Sequence, residues 1–307
     1  MITLKIGTRA SALALAQSGQ IAKTITELTG QATELVEIST KGDRDMTPLT
    51  QLGGTGVFVS ALRDALVAGE IDVAVHSLKD LPTAADPRLV IAAIPPRQDP
   101  RDALIARDGL TLGELPTGST IGTGSPRRAS QIRALGLGVD VVDIRGNVDT
   151  RIQKVRNGDL DGVLLARAGL VRLGRVDEAT ETLDPLQMLP APGQGALACE
   201  CRADDETVIG LLSLLDDGAT RAAVTAERSL LATLEAGCSA PVGALADIAE
   251  GDDGDELWLR AIVGDISGSP TIRMSKVGSP SDAARIGEDL AAEMLAEGAA
   301  ELMAGAS

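Results

Sequence analysis

Three short stretches of this sequence carry the residue types needed to hold a small polyanion. Gly7-Thr8-Arg9-Ala10-Ser11, Gly122-Thr123-Gly124-Ser125-Pro126-Arg127-Arg128 and Arg145-Gly146-Asn147-Val148-Asp149-Thr150-Arg151 each stand where a β-branched run gives way to a helical pattern. Ser11, Ser125 and Asn147 fit the N-cap position, and Pro126 fits the first helical position. A helix start offers free N–H groups and a positive dipole end, which suits a carboxylate or phosphate. Arg127 and Arg128 in a first turn oppose that dipole, at roughly 0.3–1 kcal/mol each when exposed. The sequence shows no compensation for them, so a bound anion gripped by guanidinium forks is the expected one. A single such arginine is usually a solvated surface charge. Three junctions with one grammar, at the ends of strands, read instead as a ligand edge.

A fourth stretch, Val73-Ala74-Val75-His76-Ser77-Leu78-Lys79-Asp80-Leu81-Pro82, runs a buried-type strand into a polar turn stopped by proline. His76 is the only histidine and reads as structural. Asp80 is the better candidate for chemistry. A carboxylate within ~4–6 Å of several arginines stays ionised, and it can stabilise a cation that develops during reaction. The competing reading makes Lys79-Asp80 a solvated turn pair. Cys238 succeeds Gly237 on a loop that ends at Pro241, the placement of a thiol that reacts rather than one that packs. Cys199 and Cys201 share one face of a predicted strand and read as core or edge residues.

Composition narrows the ligand class. The formal charge of −16 argues against nucleic-acid or anionic-membrane binding. Residues 121–175 nevertheless carry ten Arg and Lys against five Asp, a local anion site inside an acidic chain. One Phe, one Trp and no Tyr leave no stacking platform for single-stranded nucleic acid. No Cys/His spacing suits zinc, so no metal is expected, and neither a phosphate loop nor a nucleophile elbow appears. Three cysteines make no disulfide framework. Neither a signal peptide nor an 18-residue apolar span is evident, and the cytoplasm is the expected compartment.

The elements that must position these residues alternate between strand and helix, the signature of parallel α/β units. Strands are expected at 3–7, 33–39, 71–76, 89–94, 120–122, 141–144, 162–166 and 196–200. Helices are expected to begin at Ser11, near Val57, at Ser125, at Asn147 and near Asp204. Two proline-rich passages, at 95–100 and 185–193, bracket a self-contained stretch, and strand 196–200 has no partner in the segment C-terminal to it. The chain therefore leaves a first lobe, builds a second and returns, making two α/β lobes with a cleft between them. The boundaries are 1–96 with 196–215 for the first lobe and 101–190 for the second. A C-terminal α+β domain, 219–307, has a helix at 221–235, three strands and one final helix at 281–303. With no exposed apolar stripe, a monomer is expected.

Together these motifs resemble the hydroxymethylbilane synthase (porphobilinogen deaminase) family. The resemblance runs from Ile6–Arg9 through Ala74–Pro82, Gly122–Arg128, Arg145–Asn147 and Leu189–Ala196 to Glu235–Pro241. It implies periplasmic-binding-protein-like lobes and a transferase that joins four porphobilinogen molecules head to tail into hydroxymethylbilane, releasing ammonia. It also implies a dipyrromethane cofactor, joined to Cys238 by a thioether. Asp80 would stabilise the pyrrole N–H groups and the azafulvenium-like cation. Residues matching Lys79, Ser77, Thr123, Ser125, Arg127, Arg128, Arg145 and Gly146 would hold the cofactor. Those matching Arg9, Ser11, Gln17, Arg145, Arg151 and Arg172 would hold substrate acetates and propionates. Phe58 matches an aromatic near the cofactor, and residues 40–56, rich in glycine at their end, match a mobile lid. The chain departs from the family at Gln51 and Thr55, where lysines are common, and at Gly124, where serine is. A non-catalytic two-lobe binding protein for small polycarboxylates is the alternative, but it leaves Cys238, Asp80 and the third domain unexplained.

Overall fold

The computed structural model describes residues 3–38, 56–237, 240–251 and 254–304. Cys238, the Phe58 side chain and residues 40–55 of the expected lid lie outside the described residues. The chain forms two compact units, Met1–Gln98 with Ala196–Arg221, and Asp99–Gly195 with Ala222–Ser307.

The first unit is built on a five-stranded sheet in the order β2-β1-β3-β10-β4. Its strands are β1 (Leu4–Thr8), β2 (Thr33–Glu37), β3 (Val73–Ser77), β4 (Leu89–Ala93) and β10 (Leu197–Arg202). Helix α1 (Ala12–Thr29) is opened by the Ser11 hydroxyl, which accepts from the Ala14 N–H, and closed by Gly30 at φ 70°. Its inward residues Ile21 and Ile25 cover Ile6, Val73 and Val75 with help from α6 (Glu206–Leu212). On the other face, Leu62 and Leu66 of α2 (Gly56–Val67) pack with Ile71 and Ala74. Each such side chain contributes about 1.5–3 kcal/mol by leaving water. Strand β10, which finds no partner further along the chain, pairs back into this sheet, bonding β3 on one side and β4 on the other.

The second unit repeats that plan in the order β7-β6-β8-β5-β9. Its strands are β5 (Asp102–Ala106), β6 (Thr120–Gly122), β7 (Asp140–Val142), β8 (Gly162–Ala166) and β9 (Glu181–Thr182). Helices α3 (Pro126–Ala134), α4 (Val148–Arg156) and α5 (Arg167–Arg172) come after β6, β7 and β8 respectively. The same unit holds a three-stranded antiparallel sheet of β11 (Val242–Gly251), β12 (Gly254–Gly264) and β13 (Thr271–Gly278). Helices α7 (Gly218–Thr233), α8 (Ala283–Ala296) and α9 (Ala299–Ala304) line its core with Ala226, Leu230, Leu290 and Met294.

Three expectations need correction. The five-stranded sheets are not wholly parallel: β10 runs antiparallel to β3 and β4, and β5 runs antiparallel to β8 and β9. Strands β5 and β9 and helix α5 are additional to the expected elements. The proline-rich passage just before β5 masks its start, and α5 is too short to show a period. The single terminal helix is instead two, parted at Gly298, whose φ of 96° ends the first as glycine readily does.

Candidate functional site

In the first unit, β1 and β3 run parallel and deliver their C-terminal ends to the same edge of the sheet. Arg9 stands just past β1, and Ser11 caps α1 there. Gln17, buried on α1, donates from Nε2 to the Ser77 hydroxyl at 2.8 Å, so the two polar residues expected from the family do meet. Beyond Ser77 the chain tightens into one 3-10 turn, Leu78–Asp80. Leu78 and Leu81 are 0% and 2% exposed, and the Leu78 N–H donates to the Ala196 carbonyl. That anchoring leaves Lys79 half-buried and Asp80 exposed. Among the described residues, none forms a hydrogen bond or ion pair with the Asp80 carboxylate.

Beneath this turn His76, expected to be structural, is buried with its Nε2 3.2 Å from Glu200 Oε2. Arg63 of α2 grips the same carboxylate from Nε (3.0 and 3.1 Å) and Nη2 (2.7 Å). Burial alone would raise the Glu200 pKa, but His76 and Arg63 outweigh it and hold the carboxyl below its usual range. Cys199 and Cys201, on the other face of β10, are fully buried core residues. Desolvation pushes their thiols up to about 12 and about 11, so neither is a nucleophile.

The second unit assembles the arginine-rich positions. Ser125 caps α3 by accepting from the Arg128 N–H, and its own N–H donates to the Thr123 hydroxyl. Asn147 caps α4, accepting from Thr150. Gly124 and Gly146 are required here. A Cβ on Gly124 would lie 2.7 Å from the Ile144 carbonyl oxygen, and one on Gly146, at φ 109°, would meet Thr150. A serine at 124, common in the family, would thus need the 143–145 backbone to retreat. The Arg151 Nε–H donates to the Gly146 carbonyl at 2.8 Å, and Arg145 stays exposed, 4.0 Å from Asp143. Desolvation, then the charge of Arg128, lowers the Arg151 pKa.

Arg127 and Arg128 correct an expectation. Their missing compensation is a carboxylate of the protein, not a ligand alone. Asp102, at the start of β5 and wholly buried, accepts from Arg128 Nε (3.1 Å) and Nη2 (2.8 Å) and stands 2.7 Å from Arg127 Nη1. Burial would raise the Asp102 pKa, but the two guanidinium groups prevail and hold it well below the usual carboxylate range. Asp102 escapes local inspection of the sequence because 25 residues separate it from Arg127. An acid opening the apolar run Ala103–Ala106 was the available signal.

Two guanidinium groups on one carboxylate leave a net positive charge in the interior. Arg127 Nε and Arg172 Nε are buried donors without a hydrogen-bond partner among the described residues. Arg172 closes α5 and donates from Nη2 to the Gly195 carbonyl at 2.7 Å, and desolvation pushes its pKa down to about 10. Orphaned N–H donors on desolvated cations fit a ligand that brings several carboxylates, as an oligopyrrole bearing acetates and propionates does. No cluster of metal-ligating side chains occurs among the described residues.

Comparison with known proteins agrees with this chemistry. Residues 4–210 match the family model described as porphobilinogen deaminase, dipyrromethane cofactor binding domain, and residues 221–296 match that of the porphobilinogen deaminase C-terminal domain. The porphobilinogen deaminase of Mycobacterium tuberculosis is 59% identical, covering 98% of this chain and 99% of its own. That of Mycobacterium marinum is 58% identical over 98% and 97%. Among solved structures, immunogenic lipoprotein A from Vibrio vulnificus aligns at 13% identity and a TM-score of 0.42, covering 71% of this chain and 96% of its own. With two models spanning nearly all of it and relatives this similar end to end, the chain belongs to the porphobilinogen deaminase family.

Proposed function

We propose that this chain joins four porphobilinogen molecules head to tail into hydroxymethylbilane, with Asp80 as the catalytic carboxylate and Cys238 as the thioether anchor of a dipyrromethane primer. The observation that carries the reading is the Asp80 carboxylate, exposed and without a hydrogen-bond or ion-pair partner among the described residues, at the tip of a turn whose neighbours are buried and hydrogen-bonded. An unpaired carboxylate on a rigid support is free to meet a cation formed in the substrate, and it needs no reorganisation to do so. When bound, the dipyrromethane supplies the pyrrole carbon onto which units are joined. Lys79, Ser77, Thr123, Ser125, Arg127, Arg128, Arg145 and Gly146 hold its acid side chains, and Arg9, Ser11, Gln17, Arg145, Arg151 and Arg172 hold those of the substrate. Asp80 would face the pyrrole N–H groups and stabilise the positive charge left on the ring and its methylene carbon as the amino group of the aminomethyl arm departs as ammonia.

Three domains are assigned on this reading, 1–96 with 196–215, 101–190 and 219–307, each with its own sheet. No helix among the described residues is long and apolar enough to cross a membrane. A cytoplasmic monomer is the working assignment. The polycarboxylate-binding alternative is set aside, because it accounts for neither Asp80 nor the C-terminal domain.

Intact-mass measurement tests the anchor. The purified chain weighs more than its sequence by two pyrrole units, and Cys238→Ala abolishes the increment. An active preparation at the bare sequence mass removes Cys238 from the role. Asp80→Asn keeps fold and mass increment while turnover falls at least about 100-fold, and undiminished turnover removes Asp80.

A further inference from the structure

One buried polar chain runs through the second unit without being used by Asp80 or Cys238. It starts where Arg127 and Arg128 grip Asp102. Gln194 Nε2 donates to Asp102 Oδ1, the oxygen that Arg128 also holds, at 2.8 Å and to the Pro100 carbonyl at 2.7 Å. The next residue back, Gly193, donates its N–H to Glu227 Oε2 at 2.6 Å, and Glu227 Oε1 accepts from the Ala246 N–H at 2.9 Å. Asp102, Gln194 and Glu227 are 0%, 1% and 0% exposed. Glu227 lies on α7, eleven residues before Cys238.

A buried carboxylate is a poor choice for stability alone, since an apolar side chain of similar volume often fills such a site at lower free energy. What it provides is geometry. Polar groups hydrogen-bonded to one another in a low-dielectric interior tolerate little displacement, because a separated partner there is costly. Here three segments are tied together: the junction bearing Arg127 and Arg128, the 190–195 loop, and helix α7 with β11. Their polar atoms meet at hydrogen-bond distance, so a shift of α7 along its axis stretches or misaligns the contact to Gly193.

We propose that Glu227 and Gln194 are positioning residues that hold helix α7, which precedes Cys238 in the sequence, in register with the Arg127–Arg128 junction, so that the acid groups of a cofactor joined to Cys238 reach those arginines. The proposal rests on Cys238 being the attachment point. A misplacement of about 1 Å can slow a reaction by up to ~100-fold without unfolding the protein.

The test monitors attachment itself. Cofactor-free full-length chain is incubated with porphobilinogen, and its intact mass is read against time, with circular dichroism as the check on folding. Glu227→Gln and Gln194→Ala are expected to gain the two-pyrrole increment about tenfold more slowly than the unaltered chain, with unchanged spectra. Gain at the unaltered rate by a folded variant, even one of lowered melting temperature, reduces that residue to a structural role and overturns the proposal. Should Glu227→Gln not fold, Gln194→Ala decides, since it removes an uncharged side chain and leaves every backbone contact of Glu227 in place. An unaltered chain that gains no mass sinks the attachment reading, and this proposal with it.

Discussion

The two five-stranded sheets share one plan, three parallel strands followed by an antiparallel one, yet they use their intruding strand differently. In the first unit β10 carries Glu200, which ties Arg63 and His76 under the Asp80 turn. In the second unit β5 carries Asp102, which faces Arg127 and Arg128 themselves. The first carboxylate is spent on Arg63 and His76, while the Asp80 carboxylate has no partner among the described residues. The second offsets one of the two guanidinium charges it meets. A strand running against the rest brings side chains that the local sequence of a strand–helix junction does not contain. Each unit has placed a buried acid on that strand.

Substitutions at the two acids break the comparison most strongly. Asp102→Asn leaves two buried guanidinium groups facing a neutral amide, and about 3–5 kcal/mol of stability should be lost. Glu200→Gln should cost less, about 2–3 kcal/mol, because Arg63 can turn partly toward water. Denaturant unfolding of both variants checks the order, and equal losses would dissolve the distinction. The two acids also give the chain its acid sensitivity. Each has a folded pKa below its unfolded one, so its stabilisation is complete above the unfolded value, near 4, and fades as pH falls below it. Urea midpoints recorded at successive pH values should therefore decline below about pH 4–5, and less so in Asp102→Asn.

The smallest effect concerns the caps. Ser11 and Ser125 open comparable helices, α1 and α3, in the two units. Ser11→Ala and Ser125→Ala should each cost about 1 kcal/mol, read as a shift in melting temperature. A Ser125 effect several times larger would mean that the cap also holds the guanidinium pair in place.

Much of this was legible in the residues. The caps Ser11, Ser125 and Asn147, the stop at Gly30 and the return of strand 197–202 to the first sheet all stem from local rules and from pairing that must be completed. Asp80 was legible as a polar residue where a buried strand ends. Pairing at a distance was not legible. Asp102 and Arg127, Glu200 and Arg63, and Glu227 and Gly193 are separated by 25, 137 and 34 residues.

The sequence by itself determined which segments become strands and helices, where most of them begin, and that guanidinium groups gather at helix starts, because those outcomes depend on neighbours within a few residues. Tertiary structure alone decided which charges are spent inside the protein and which remain available to a ligand. The energy of a charge depends on desolvation and on partners brought within 3–4 Å by the fold, and neither quantity is written in local order along the chain.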